Sequence, residues 1–131
     1  MTDEPVELPV DRSPILRVTT RINDANPSGD IFGGWLMSQI DIAGAIVAAE
    51  RAKGPVVTVA VKDLQFIKPL YVHDLVSFYA DVVRVGSTSL TVYIEVFAQR
   101  QRQYTYEAVK VSDATLVYVA VTEPGKPRKI T

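Results

Sequence analysis

Apolar positions recur along most of this chain at every second residue, and along one stretch they ring the backbone instead. Residues 35–53 carry Leu36, Ile40, Ala43 and Val47 on one helical face and Trp35, Ile42, Ile46 and Ala49 on others. A helix that is apolar on nearly every side is enclosed by protein. Gly54 and Pro55 follow as a stop signal, glycine just past the end and proline after it. At ~1.5 Å per residue such a helix is about 30 Å long. After Pro55 the period becomes two. Val57, Val59 and Val61 alternate, and then Leu64 and Phe66 continue in the opposite phase. A slip of one residue moves side chains to the other face, so a bulge is expected near 62–63. A strand follows at 75–85 and breaks at Gly86-Ser87. Leu90, Val92, Ile94, Val96 and Ala98 give the cleanest alternation. A polar turn is expected at 99–106, then a long strand over 108–121 with a slip near 112–113. Upstream, 15–22 reads as a strand and 23–34 as a loop, with Asn26-Pro27, Gly29, Gly33 and Gly34.

The order is strand, loop, one buried helix, then strands joined by short turns, which give an antiparallel sheet. The simplest layering is α+β: one long central helix wrapped by a curled antiparallel sheet, the hotdog fold. The competing arrangement lays the helix on one face of an open sheet; the apolar circumference of the helix argues against it. A chain of 131 residues suits a single domain spanning 1–131, with 1–14 and 122–131 expected as flexible arms.

Charge and composition narrow the function. Fourteen Lys and Arg balance 15 Asp and Glu, so no basic field exists to hold a nucleic-acid backbone. The chain has no cysteine, which excludes disulfides, a thiolate nucleophile and cysteine-based zinc sites. The most apolar stretch contains Ser38, Gln39, Asp41, Glu50 and Arg51, so no membrane insertion is expected. The first ten residues lack the basic and apolar regions of a signal peptide. A cytoplasmic location is the expectation.

No phosphate loop and no dinucleotide fingerprint is present. The single histidine, His73, sits in a polar turn beside Asp74 and reads as a surface residue rather than a triad member. Asp41 is the anomaly, flanked by Ile40 and Ile42 in mid-helix. A carboxylate taken into such surroundings needs a partner or a task. It fits a general base or nucleophile, and equally a structural aspartate bonded to Ser38 or nearby backbone. Gly33-Gly34 opens the helix, where unpaired N–H groups and the dipole can hold an oxyanion; two glycines also simply permit a tight turn. Asn26 can orient a thioester or water, or cap its own turn.

The run from Asn26-Pro27-Ser28-Gly29-Asp30 through Phe32-Gly33-Gly34-Trp35 to Asp41-Ile42-Ala43-Gly44 resembles the signature of the YciA-like acyl-CoA thioesterases. These are hotdog enzymes related to animal cytosolic acyl-CoA hydrolases. Phe66-Ile67-Lys68-Pro69-Leu70, Gly86-Ser87-Thr88-Ser89-Leu90 and Gly125-Lys126-Pro127-Arg128 support the resemblance, which spans nearly the whole chain. It implies an acyl-CoA thioester hydrolase of lipid metabolism that yields free CoA and a carboxylic acid. Asp41 would be the catalytic carboxylate, Asn26 of a partner chain would position the thioester or water, and the N–H of Gly33 or Gly34 would polarise the carbonyl. The nucleotide end of CoA would lie near Gly86, Ser87, Thr88 and Ser89, with Lys68. The resemblance also implies a homo-oligomer, a dimer at least and commonly a hexamer built as a trimer of dimers. No metal and no cofactor beyond the CoA of the substrate are implied. The family commonly has Gly in place of His73 and Arg in place of Ser87. Ile46, Phe66 and Phe78 are candidates to limit acyl length.

Two other functions remain to be separated from this one. A hydratase on the same fold would place a histidine in the site, and His73 is badly situated for that. A non-catalytic acyl-CoA sensor or carrier would bind the thioester without releasing thiol.

Overall fold

The computed structural model describes residues 6–131, the side chain of Arg102 excepted. Strand β1, Leu16–Thr19, is shorter than the hydrophobic pattern suggests. A one-turn 3-10 helix, Ile22–Asp24, replaces its end, because the Arg21 N–H donates to the Asp24 carboxylate at 3.0 Å and bends the chain. Ile22 is consequently exposed. Helix α1, Gly33–Ala52, runs as expected. Its left-handed end residue is Lys53 (φ 57°) rather than Gly54. Gly54 serves a different purpose. A Cβ there would lie 3.0 Å from the Arg128 guanidinium, which donates to the Ala52 carbonyl at 2.7 Å and brings a positive charge to the negative end of the helix.

The strands that follow are β2 (Val56–Phe66), β3 (Leu75–Val85), β4 (Ser89–Arg102), β5 (Thr105–Glu123) and β6 (Lys126–Pro127). All pairings are antiparallel, in the order β1-β3-β4-β5-β2, with β6 beside β5. The polar turn expected at 99–106 contracts to the tip at 103–104, because Gln99 to Arg102 pair with Ala108 to Thr105. A hairpin reaching past the core needs no apolar face, so its strands stay polar. The bulge expected at 62–63 is present: the β2–β5 register skips between Val61 and Asp63, and also between Thr58 and Ala60. On β5 the slip falls at Val111, between the pairs of Val96 and Phe97.

The segments expected as flexible arms are tethered. The Val6 N–H donates to the Ala108 carbonyl, and Arg12 pairs with both Asp81 (2.6 Å) and Glu95 (3.0 Å); residues 1–5 lie outside the described residues. At the other end Arg128 and Ile130 donate backbone bonds to Ala120 and Ser87, and the Ile130 side chain packs on the core. The helix end needs a cap, and the tail supplies it.

α1 lies in the concave side of the sheet. Leu90, Val92, Ile94, Val96 and Ala98 are all fully buried beneath it, with Ile40, Ala43 and Ala48 facing them from the helix. This is the hotdog fold. The wrap is incomplete along β2, which among the described residues has a neighbouring strand on one side only. There Val59, Val61 and Phe66 of the strand and Ile42 and Ile46 of the helix remain exposed.

Candidate active site

Asp41 stands about two turns into α1 and faces β2. The Thr58 hydroxyl donates to its Oδ1 at 2.6 Å. The Tyr118 hydroxyl lies 2.8 Å from the Asp41 main-chain carbonyl and 3.1 Å from the same Oδ1. Sheet register causes this convergence: Thr58 of β2 is paired directly with Tyr118 of β5, so both side chains rise together from the inner face. Gly44, one turn after Asp41, admits the phenol. A Cβ at that position would strike the Tyr118 hydroxyl. Burial, then the charge of Asp41 and its hydrogen bond, push the Tyr118 phenol far above its ordinary 10.0, so it remains a neutral donor. The Ser38 hydroxyl does not reach Asp41 and bonds the Trp35 carbonyl at 2.8 Å.

Asp41 is half-buried and forms the polar end of a cleft of about 340 Å³ between α1 and β2, lined also by Gly34, Met37, Ser38, Thr58, Val61 and Leu116. No cation pairs with it among the described residues. The helix start has Phe32 as its N-cap, with no side chain closing the first N–H groups. A Cβ at Gly34 would meet nothing within 4 Å, so the chain itself does not demand glycine there. Open space beside unpaired N–H groups suits the close approach of a carbonyl.

Asn26, Gly33 and Lys68 come together in another cleft of about 310 Å³, with Phe66, Ile67 and Leu70. The Asn26 side-chain oxygen accepts from the N–H groups of Ser28 (2.9 Å) and Asp30 (3.2 Å). Within the chain Asn26 thus does cap its own turn, and a ligand would meet its amide N–H groups. Gly33 and Gly34 are consecutive yet line different clefts. The fold therefore brings Asp41 to Gly34, and Asn26 to Gly33 and Lys68, but does not join the two sets within one chain.

Gly86 to Ser89 form the β3–β4 turn. The Gly86 N–H donates to the Ser89 carbonyl at 2.7 Å, and the Thr88 and Ser87 carbonyls accept from Ala120 and Ile130. Ala120 pairs with Val56, so this turn sits where β2 begins, at the far end of α1 from Lys68. His73 is exposed in a turn with φ 72°. Phe78 is fully buried in the core, whereas Phe66 is 57% exposed at the edge.

Thr58 and Tyr118 escape a reading of the sequence because each looks like one more strand position. Gly44 was the available signal. A mid-helix glycine is unfavourable by about 1 kcal/mol relative to alanine and marks a close approach.

Residues 28–105 match the model of the thioesterase superfamily. An acyl-CoA thioester hydrolase YciA of Salmonella typhimurium is 45% identical over 117 residues, 88% of each chain. A hexameric hotdog-fold thioesterase of Campylobacter jejuni superposes with a TM-score of 0.87 at 42% identity, covering 91% of this chain and 90% of that one. A hexameric broad-specificity acyl-coenzyme A thioesterase, solved as an aspartate-to-alanine mutant, gives a TM-score of 0.86 at 41% identity over 92% of this chain and 87% of that one. With this family model and these relatives across nearly its whole length, the chain belongs to the thioesterase superfamily, among the YciA-type acyl-CoA thioester hydrolases.

Proposed function

We propose that this protein hydrolyses acyl-CoA thioesters to free CoA and a carboxylic acid, in sites shared between two copies of the chain. The observation that carries the reading is Asp41. Its Oδ1 is held by hydroxyl groups, no cation pairs with it among the described residues, and it lines an open cleft. A carbonyl seated against the N–H groups of Gly33 or Gly34 is polarised as negative charge develops on its oxygen. Asp41 then takes a proton from water. The water oxygen bonds the carbonyl carbon, the C–S bond breaks, and the departing CoA thiolate recovers the proton. Direct attack by Asp41 gives the same products through an anhydride. Single-turnover hydrolysis in heavy-oxygen water tests the covalent route: a first acid carrying the enzyme's own oxygen, with heavy oxygen left in Asp41, requires a nucleophilic Asp41 whose anhydride is opened at the aspartyl carbonyl.

The sharing follows from the edge strand. Antiparallel pairing of β2 with its own copy about a two-fold axis sets the Val56 end of one strand against the Phe66 end of the other. It also covers Val59, Val61, Ile42 and Ile46, which are exposed in the single chain. Such pairing brings the Asn26 and Lys68 cleft of one copy toward the Asp41 cleft of the next. It likewise draws the turn at Gly86, Ser87, Thr88 and Ser89 toward Lys68 of the partner subunit, a span suited to the nucleotide end of CoA. The hexameric assembly of the Campylobacter jejuni relative fits three such dimers.

Release of free CoA thiol from a panel of acyl-CoAs, wild type beside Asp41→Ala, tests the reading. Wild type is expected to hydrolyse and the folded variant to lose about a thousandfold, the middle of the range for a general base. Tight binding of acyl-CoA with no thiol release by wild type would instead make the protein a carrier or sensor.

A further inference from the structure

Among the described residues Tyr118 is the only large polar side chain that is fully buried, and the chemistry outlined above does not use it. Its hydroxyl is aimed at a single residue, reaching both the main-chain carbonyl and Oδ1 of Asp41. The main-chain carbonyl of a helical residue already accepts the bond from four residues on, so that carbonyl would not be orphaned by the loss of the phenol. The helix nevertheless carries a glycine at 44 where a Cβ would collide with this hydroxyl and come within 3.0 and 3.1 Å of the ring carbons Cζ and Cε2. The ring carbons as well as the hydroxyl need the missing Cβ, so the glycine lets the whole phenol come close enough for its hydroxyl to reach Asp41. The hydroxyl and the gap that admits it match each other, and together they fix one oxygen of Asp41.

We propose that Tyr118 is a positioning residue for Asp41: with Thr58 it clamps Oδ1, so that the other carboxylate oxygen is presented to the cleft in a single orientation. The clamp is built from neutral donors. Thr58 fixes Oδ1 from the β2 side at 2.6 Å and Tyr118 from β5 at 3.1 Å, and the direct cross-strand pairing of the two residues holds their spacing. Neutral hydroxyls orient a carboxylate without the compensating charge that would blunt its basicity. Tyr118 touches no substrate and acts only through Asp41, an inference that rests on Asp41 being the reacting carboxylate.

The test is a set of four proteins: wild type, Tyr118→Phe, Asp41→Asn and the double variant, each checked for folding by thermal melting and assayed for thiol release. Tyr118→Phe is expected to melt close to wild type, to keep its KM, and to lose about ten- to a hundredfold in kcat, the scale on which misplacement of a reacting group acts. In the Asp41→Asn background the same change should have no further effect on the residual rate. An unchanged kcat in Tyr118→Phe, with Asp41→Asn inactive, overturns the clamp and leaves the catalytic aspartate standing. Full activity in Asp41→Asn overturns the underlying reading itself. Equal losses from Tyr118→Phe in both backgrounds, a parallel rise in KM, or a variant that does not fold would each make the phenol a structural prop and overturn the proposal.

Discussion

Asp74 and Asp41 are both carboxylates drawn in from the surface, and their surroundings have opposite consequences. Asp74 is 2% exposed. Its Oδ2 accepts from the Tyr71 N–H and from Arg100, both at 2.9 Å. Its main chain exchanges bonds with Thr20, and Arg100 also lies over the Tyr71 ring. Together they tie the loop at 69–74 to Thr20, just past β1, and to Arg100 of β4. Asp41 has two hydroxyls, no cation partner among the described residues, and an open cleft. A charge matched by a guanidinium and enclosed is occupied with structure. A charge oriented by neutral groups and left open on one side is available for chemistry.

Replacement of both residues should separate these roles. The largest effect expected is on turnover in Asp41→Ala, about a thousandfold, with the melting temperature near wild type because no ion pair is broken. Asp74→Ala should do the reverse. It strands Arg100 beside a loop that has lost its anchor, at a cost of about 3 kcal/mol in stability by chemical denaturation, while kcat per folded molecule changes little. A collapse of kcat in folded Asp74→Ala would break the distinction. Thr58→Val keeps shape and removes the shorter bond to Oδ1; about tenfold lower kcat is expected, checked by steady-state assay beside Tyr118→Phe. The smallest effect is one of pH. Burial raises the Asp74 carboxyl above its ordinary 3.8, outweighing the Tyr71 N–H and Arg100, which lower it. A raised carboxylate favours the folded state most when protonated, so its contribution is fully present below 3.8 and fades as pH rises through the folded value. Melting curves of wild type minus Asp74→Asn across that window should therefore fall with rising pH; a rise would mean that Arg100 wins.

The helix, the β2 bulge and the inward face of β4 were legible because each rests on a local period. Leu90 to Ala98 alternate in sequence and are all buried in the structure. The misses fell where local pattern is silent. The polar hairpin tip of β4 and β5 carries no apolar period, and the tail at 122–131 looks like an arm until the end of α1 is seen to require Arg128.

The same division holds at the site. An aspartate between two isoleucines, after two glycines at a helix start, is visible along the chain, because helical neighbours are close in sequence. What fixes Asp41 is not. Thr58 is 17 residues away and Tyr118 is 77, and only the bulged register of β2 on β5 sets them side by side. Sequence by itself determined the main elements, the candidate carboxylate and the family. The tertiary structure decided which hydroxyls orient that group, that Asn26 and Asp41 of one chain belong to different clefts, and that β2 is left with an open edge. Periodicity is a property of a few adjacent residues, whereas register and edge exposure exist only once distant strands have paired.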